Sequence, residues 1–595
     1  MRHFRTSRRT KQARLDSHSL VGARRGAHFD RLKLVRILTL VFAILIIGRL
    51  GYIQVFQHDF YAALAEGQHT LIEQLEPERG EIFVHEDDRL FPLAANKDFF
   101  EVYAIPQNVE DPETLVEILV NRLQIEKEEV LPRLQKRADL YEPVAMHVEQ
   151  AVVDQLKALN LKGLGYRRQS DRYYPEKNIG SHLLGFVGFQ GDKRVGQYGL
   201  EGYWNTELAG VAGYIEADRD AEGRLITVGS KKLEEAQDGD SIVLTIDRTI
   251  QYKACSELNA AVSRHGATGG SLIVMEPSTG KILALCGSPD FDPNIYNEVE
   301  DINVFLNPAT YGTYEPGSVF KPLTMAAAMN EGKVTPATTY DDTGAVEIGT
   351  YTIRNSDNKA HGVVPMTTVL EESLNTGAIF AARQIGPELF EEYVKKFGFG
   401  ESTGIQLDNE AAGDVSPLSQ QKEIYMATAS FGQGITVTPL QILAAFGALA
   451  NDGKLMKPYV VDEVIKPNDV RIKTEPQVVR QVVSAETAAK ISAMLAGVVQ
   501  KGHGQRAGVE GYFVGGKTGT AQIPLEGSRG YDPHQTIGTF IGFAPVDNPA
   551  FVMLAKIDRP KDVQFAESSA APLFGEIAKF LLPYLGVAPT AEVGE

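Results

Sequence analysis

With 595 residues, 43% of them hydrophobic and 23% charged, the chain is too long for one ordinary domain and too apolar to be disordered, so two or three folded units are expected. The net charge of −18 is polarised: residues 1–36 carry eleven Arg and Lys side chains against Asp16 and Asp30, a local +9 that leaves −27 for the rest. So acidic a body excludes nucleic acid as the main partner, and a basic leader ahead of an apolar run marks a tail held at a cytoplasmic membrane face.

The apolar run is LVRILTLVFAILIIGRLGYIQVF, residues 34–56. At about 1.5 Å per residue it reaches roughly 34 Å, enough to cross a bilayer. Its uninterrupted centre, Ile37 to Gly48, is also as short as a signal-peptide core. The bulky Tyr52, Ile53, Val55 and Phe56 that follow offer no small-residue cleavage pattern, so an uncleaved single-pass helix is expected. The basic tail, residues 1–33, is then expected to stay in the cytoplasm, and everything beyond about residue 57 to lie outside it.

Between 57 and 237 no cluster of chemistry-bearing residues stands out. Asp111-Pro112 followed by Leu115, Ile118, Leu119 and Leu123 predicts a capped amphipathic helix, and a second is expected from Glu149 to Leu159. Tyr198-Gly199-Leu200-Glu201-Gly202 has the composition of loops and short strands in a supporting module.

From Asp238-Gly239-Asp240 the pattern changes. SIVLTID alternates as a strand, and SLIVMEP and KILALCG flank Ser278-Thr279-Gly280 as a hairpin. Thr536 to Ala544 and Phe551 to Ile557 form a second pair around Asp547-Asn548-Pro549. Helices are expected between these pairs, at Thr324 to Asn330, Thr367 to Gln384 and Leu440 to Ala450. Strands at both ends with helices between them predict an α/β domain from 238 to 585, an antiparallel sheet flanked by helices, with a short tail at 586–595. Cys255 and Cys286, with no CxxC spacing and no neighbouring His, are expected to be buried, inert thiols rather than metal ligands.

Three short patterns inside this domain carry chemistry. In TYEPGSVFKP, Ser318 and Lys321 share a helix face, at a helix start that Pro322 tolerates and whose positive end favours an oxyanion. Ser373-Leu374-Asn375 follows in LEESLNTG, and Lys517-Thr518-Gly519-Thr520 lies in GGKTGTAQ on an expected strand. Each is common by itself, as a solvated helix face, a helix end or a glycine-lined strand edge. In this order within one α/β domain they form the set found in penicillin-binding proteins and class A β-lactamases.

The chain resembles the class B, monofunctional penicillin-binding proteins over nearly its whole length. The resemblance runs through GRLGYIQVFQHDFYAAL, PERGEIF, RYYPEKNIGSHLLGFVG, YGLEGYWN, LTIDRTIQ, YEPGSVFKP, SLNTG, SFGQGITVTPLQ and GGKTGTAQ. It departs at VHEDDRLFPLA, where such proteins usually carry a basic, glycine-containing turn. The resemblance implies a non-catalytic, dimerisation-type pedestal at 57–237 below a five-stranded transpeptidase domain at 238–585. It also implies a peptidoglycan DD-transpeptidase that acylates Ser318 with a donor stem peptide and resolves the acyl-enzyme with an amine from a second stem. Lys321 would be the base, Ser373 and Asn375 would relay protons and hold Lys321 and substrate, and Lys517 and Thr518 would bind the substrate carboxylate. The backbone N–H groups of Ser318 and Thr520, beside Gly519, would form the oxyanion hole. No metal or cofactor is called for. β-Lactams would be inhibitors, and the glycan would be polymerised by a partner, a polytopic glycosyltransferase among other division proteins.

The compact pedestal and IGTFIGFAP look more like the septal than the elongation-specific members. A β-lactamase or β-lactam sensor, a DD-carboxypeptidase and a catalytically silent scaffold share parts of the pattern. The intact site residues weigh against the scaffold, and the anchor and pedestal against a lactamase. No glutamate-bearing loop of the lactamase kind is identifiable between Asn375 and Lys517, and Glu371 and Glu372 are assigned to helix packing or capping.

Overall fold

A computed structural model describes residues 31–56, 70–86, 89–191, 193–218, 231–525 and 530–589, so the basic tail before residue 31 lies outside the described residues. The chain divides into two units. The first holds helix α1, Arg31–Phe56, and a three-stranded sheet of Thr70–Leu75, Gly213–Asp218 and Lys231–Glu234. Val35–Tyr52 within α1 is long and apolar enough to cross a membrane, by length and composition.

The second unit holds two larger sheets. Its amino-terminal strands are β1 (Ile82–Glu86), β2 (Arg89–Ala104), β3 (Glu142–Val148) and β4 (Leu164–Tyr173). The expected helices appear between them as α2 (Pro112–Leu123) and α3 (Gln150–Ala158). Asp111 caps α2 by accepting the N–H groups of Glu113 and Thr114, as its position before a proline predicts. Leu115, Val116 and Leu119 bury the apolar face of α2 against Phe100, Val102 and Ala104 of β2. The hairpin of β1 and β2 keeps its ladder from Ile82–Ala94 to Glu86–Arg89 despite the unusual VHEDDRL sequence.

SIVLTID forms β5, Ser241–Asp247, but not where the sequence places it. It pairs parallel with β1 and antiparallel with β8, Val461–Ile465, which in turn pairs with β9, Arg471–Lys473. The resulting seven-stranded sheet runs β9-β8-β5-β1-β2-β3, with β4 on the other edge of β2. Strand pairing across so long a separation leaves no mark in local periodicity.

At the heart of this module Glu201, with no exposed side-chain surface, pairs with Arg79 at 2.6 Å and Arg172 at 2.7 Å and accepts from Tyr174 at 3.3 Å. Burial pushes the Glu201 carboxyl up, but the two guanidinium groups outweigh it and hold the group below its ordinary range. The glycine-rich YGLEG segment that supplies Glu201 is a short helix, Gly199–Tyr203, where composition suggests loop and strand.

The remaining chain builds a five-stranded antiparallel sheet. Helix α4 (Arg248–Arg264) leads into β6 (Gly269–Met275) and β7 (Ile282–Ser288). Then come α5 (Lys321–Asn330), α6 (Met366–Glu371), α7 (Asn375–Lys396), α8 (Pro439–Ala450) and α9 (Ala485–Lys501). Last are β10 (Gly515–Pro524), β11 (Tyr531–Ala544), β12 (Phe551–Asp558) and α10 (Ala570–Tyr584). The order is β7-β6-β12-β11-β10, which leaves β7 and β10 as the two edges. The central strands are mostly apolar on both sides because both faces are covered, with Ser271, Thr539 and Lys556 as buried polar exceptions. Leu272, Phe540, Phe551 and Met553 meet α4 and α10, while Ile273, Ile541, Phe543 and Leu554 meet the helices of the middle region.

Two expectations are corrected here. The stretch from Thr367 to Gln384 is not one helix: it breaks after Glu371 and restarts at Asn375, with Ser373 at φ 56° in the left-handed region. Cys255 and Cys286 are not free thiols but a disulfide, with Cα atoms 5.2 Å apart. Thirty-one residues separate them, so spacing gives no hint; α4 brings them together by lying on β7. Gln251 fixes that contact, donating to the Leu285 carbonyl and accepting its N–H, both at 2.8 Å.

Candidate active site

The turn before α5 is shaped by two glycines. Gly317 adopts φ 62°, and its N–H donates to the Gly432 carbonyl at 2.9 Å. A Cβ on Gly432 would stand 2.2 Å from the Gly317 oxygen, so only glycine allows the two loops to touch. Ser318 is the second residue of a 3₁₀ turn, Gly317–Phe320, that runs straight into α5, with Pro322 in the first turn where a missing N–H is harmless. Ser318 is half-buried, whereas Lys321 is 1% exposed.

Ser373 joins this turn from the break between α6 and α7. Its left-handed backbone aims both its carbonyl and its hydroxyl at Lys321, which donates to the carbonyl and lies 3.1 Å from Oγ. An unfavourable backbone in a non-glycine residue at such a point is typical of a functional site. Edge strand β10 supplies the third wall. Lys517 is wholly buried, and its Nζ lies 3.0 Å from the same Ser373 Oγ, 3.1 Å from the Thr518 carbonyl and 3.4 Å from Thr518 Oγ1. Gly519 permits the close approach of β10 to the Ser318 turn: a Cβ there would meet Val319 Cγ1 at 2.8 Å and the Pro316 carbonyl at 3.0 Å. Thr520, half-buried beyond it, accepts the Ala566 N–H at 3.0 Å through Oγ1.

Ser373 Oγ therefore bridges two lysine nitrogens, neither of which is paired with a carboxylate among the described residues. Burial drives Lys321 well below its ordinary range, and the nearby Lys517 cation lowers it further. Burial alone pushes Lys517 down to about 7. A hydroxyl has one proton and two lone pairs, so Ser373 can accept from one amine while donating to the other. The arrangement favours the neutral form of the Lys321 amine, which can then accept a proton, three residues along from a serine at a helix start, and adds a second amine with a titratable charge.

Asn375 begins α7, two residues beyond Ser373. Its Nδ2 donates to the Arg354 carbonyl at 2.8 Å, and among the described residues it makes no hydrogen bond to Lys321. Behind it stands a network that sequence reasoning missed. Asp342, 1% exposed, accepts from Thr376 Oγ1 at 2.7 Å and Asn355 Nδ2 at 2.9 Å, and Tyr340 bonds Thr376 at 3.0 Å. Burial pushes the Asp342 carboxyl up, but the bonds from Thr376, Gly344, His361 and Asn355 outweigh it and keep it low. Thr376 follows Asn375 directly, yet nothing in the sequence links it to a carboxylate 34 residues upstream. Glu371 packs on α9, where a Cβ on Gly497 would stand 2.9 Å from its Oε1.

The family model of the penicillin-binding protein transpeptidase domain matches residues 270–579, and that of the penicillin-binding protein dimerisation domain matches 74–244. The chain is 36% identical to stage V sporulation protein D of Bacillus subtilis over 94% of its own length and 86% of that protein. It is 28% identical to the probable peptidoglycan D,D-transpeptidase PenA of Neisseria gonorrhoeae over 92% and 91%. Among solved structures, penicillin-binding protein 3 of Mycobacterium tuberculosis in complex with aztreonam superposes with a TM-score of 0.67 at 28% identity. It covers 88% of this chain and 99% of its own.

Proposed function

This chain belongs to the penicillin-binding protein transpeptidase family as a class B member, and from that premise we propose that it cross-links peptidoglycan stem peptides at the division septum through an acyl-enzyme on Ser318. It is a serine-type DD-transpeptidase whose substrate is peptidoglycan and which β-lactams bind. The observation that carries the residue assignment is the Ser373 hydroxyl held between two buried lysines, Lys321 at 3.1 Å and Lys517 at 3.0 Å.

In the first half-reaction Ser318 Oγ attacks the penultimate D-Ala carbonyl and passes its proton to neutral Lys321. The tetrahedral oxyanion lies between the N–H groups of Ser318 and Thr520, an interaction worth about 3 to 4 kcal/mol in acyl transfer. The C–N bond to the terminal D-Ala then breaks, and the departing amine takes its proton by way of Lys321 and Ser373. In the second half-reaction an acceptor amine attacks the ester, the C–O bond to Ser318 breaks, and the proton returns to Ser318. Protonated Lys517, with Thr518, binds the donor carboxylate as a point charge plus a hydroxyl. Asn375 holds the donor amide.

The chain divides into a pedestal, placed from sequence at 57 to 237, and a transpeptidase domain, placed at 238 to 585; the two family matches, 74–244 and 270–579, support that order, while the match to 244 and the pairing of β5 with β1 carry the pedestal past residue 237. Helix α1 anchors the protein in a bacterial plasma membrane with its amino terminus in the cytoplasm. The basic leader supports that orientation, and the Cys255–Cys286 disulfide supports an oxidising, extracytoplasmic setting for the catalytic domain. A polytopic glycosyltransferase and other division proteins are the partners this arrangement requires.

Incubation with a penicillin should leave one covalent adduct, seen by intact-protein mass and lasting many minutes at neutral pH, and Ser318→Ala should remove it. Rapid turnover of the drug without accumulated adduct would replace this reading with a lactamase. The name of the 36% identical relative favours a second reading, a transpeptidase for a wall made during sporulation. Depletion with microscopy separates these: filaments support the septal role, round cells an elongation role, and a defect confined to spores the second reading.

A further inference from the structure

One carboxylate touches three elements around the nucleophile turn. Glu315 lies three residues before Ser318, between the buried Tyr314 and Pro316. Its Oε1 accepts the backbone N–H of Gly434 at 3.0 Å, in the same loop whose Gly432 carbonyl receives the Gly317 N–H. The Tyr531 hydroxyl donates to Oε2 at 3.0 Å and stands 3.3 Å from Oε1. Tyr531 opens β11 opposite Pro524, at the hairpin end of the strand pair that carries Thr520. A longer contact, 3.4 Å between Tyr314 OH and Thr539 Oγ1, reaches the same strand farther along.

The two N–H groups assigned to the oxyanion belong to different elements, Ser318 to the α5 turn and Thr520 to β10. Two donors on separate elements serve a developing charge only if their separation is held to about half an ångström. Gly317, Gly432 and Gly519 let the elements approach closely but have no side chains with which to lock them. Glu315 is placed to provide the lock. Burial pushes its carboxyl up, and the bonds from Gly434 and Tyr531 oppose the shift, as for a carboxylate drawn partway out of water and held by two donors.

We propose that Glu315 is a positioning residue: held between the Tyr531 hydroxyl and the Gly434 N–H, it fixes the Ser318 turn against the β10–β11 hairpin and so sets the acylation rate constant rather than substrate affinity. The inference rests on the Ser318 acyl-enzyme reading. The bond from Tyr531 is the part that can be cut without disturbing the turn itself, because removing one phenolic hydroxyl leaves the ring in place.

The test is stopped-flow acylation of the detergent-solubilised full chain by a fluorescent penicillin, resolving the non-covalent dissociation constant from the first-order acylation constant. Glu315→Gln and Tyr531→Phe should each lower the acylation constant about tenfold, less than the roughly hundredfold that a 1 Å misplacement costs. The dissociation constant should stay within about twofold, which a general loss of structure would not allow. The double variant should lose no more than the weaker single variant, since both remove one interaction. Wild-type acylation constants in Tyr531→Phe, losses that multiply in the double variant, or a parallel rise in the dissociation constant would overturn the proposal. Ser318→Ala is run beside them: if it still labels, the nucleophile assignment fails whatever Glu315 does.

Discussion

Lys321 is held in a place that suits a base and harms the fold. Its ammonium form is penalised by burial and by Lys517, so the native state binds fewer protons at this site than the unfolded chain does. The folded pKa lies below the unfolded one, and the cost is therefore present at neutral pH and fades as pH rises toward about 10.4, the ordinary lysine value. Lys321→Met should abolish penicillin labelling yet raise stability by about 1 to 2 kcal/mol at neutral pH, with the gain shrinking in alkali. Thermal unfolding at pH 7 and pH 10 measures this. A variant less stable than the parent at pH 7 would mean that the amine contributes bonding its burial does not outweigh.

The same pair of lysines fixes the pH dependence. Acylation by the free enzyme should fall in acid as Lys321 takes up a proton and ceases to be a base. It should fall again above about 7, where Lys517 loses the charge that holds the substrate carboxylate. Lys517→Arg keeps its charge and should move the alkaline limb upward, at some loss of rate because the guanidinium is larger. An alkaline limb that stays near 7 in that variant would assign it to another group. The serine, the two lysines and Ser373 were legible because their chemistry demands fixed residue types at local spacings. Glu315, Tyr531 and Asp342 were not, because a carboxylate or hydroxyl that acts through a neighbour across the fold carries no spacing of its own.

Among the elements, the α6–α7 break deserves a physical account. Helical periodicity runs through Ser373, and from sequence alone the stretch from Thr367 to Gln384 is one helix; in the fold the chain spends a left-handed residue to turn a carbonyl and a hydroxyl toward Lys321. The misplacement of β5 has a different origin. Its alternating pattern identifies a strand correctly, but the choice of sheet is made by partners at residues 82–86 and 461–465 that only the fold brings near. The disulfide between α4 and β7 was missed for the same reason.

The seven-stranded module depends on its buried ion group. Arg79, Arg172 and Glu201 come from three separate segments, so Glu201→Gln leaves two guanidinium groups short of their counter-charge inside the protein. Removing one partner from a buried pair costs about 3 to 5 kcal/mol. The thermal midpoint should fall by several degrees while the acylation constant of the surviving folded protein stays near normal. A midpoint unchanged within a degree would show that Tyr174 and the surrounding amides satisfy the arginines alone.

At the scale of the whole molecule, the basic leader, the apolar helix and the transpeptidase domain fit the proposed topology, a catalytic domain held outside the cytoplasm on a membrane tether. A reporter fused after residue 595 should be active only if it is of a type that works outside the cytoplasm, and activity of a cytoplasm-restricted reporter would reverse the topology. The central claim is that Ser318 transfers a stem peptide to an amine rather than to water. Its most direct test supplies the full chain with uncross-linked, newly polymerised peptidoglycan and resolves the digested products by mass. The account predicts cross-linked stem dimers with release of D-Ala, both absent in Ser318→Ala and both blocked by prior penicillin. D-Ala release without dimers would identify a carboxypeptidase, and dimers formed by Ser318→Ala would contradict the account outright.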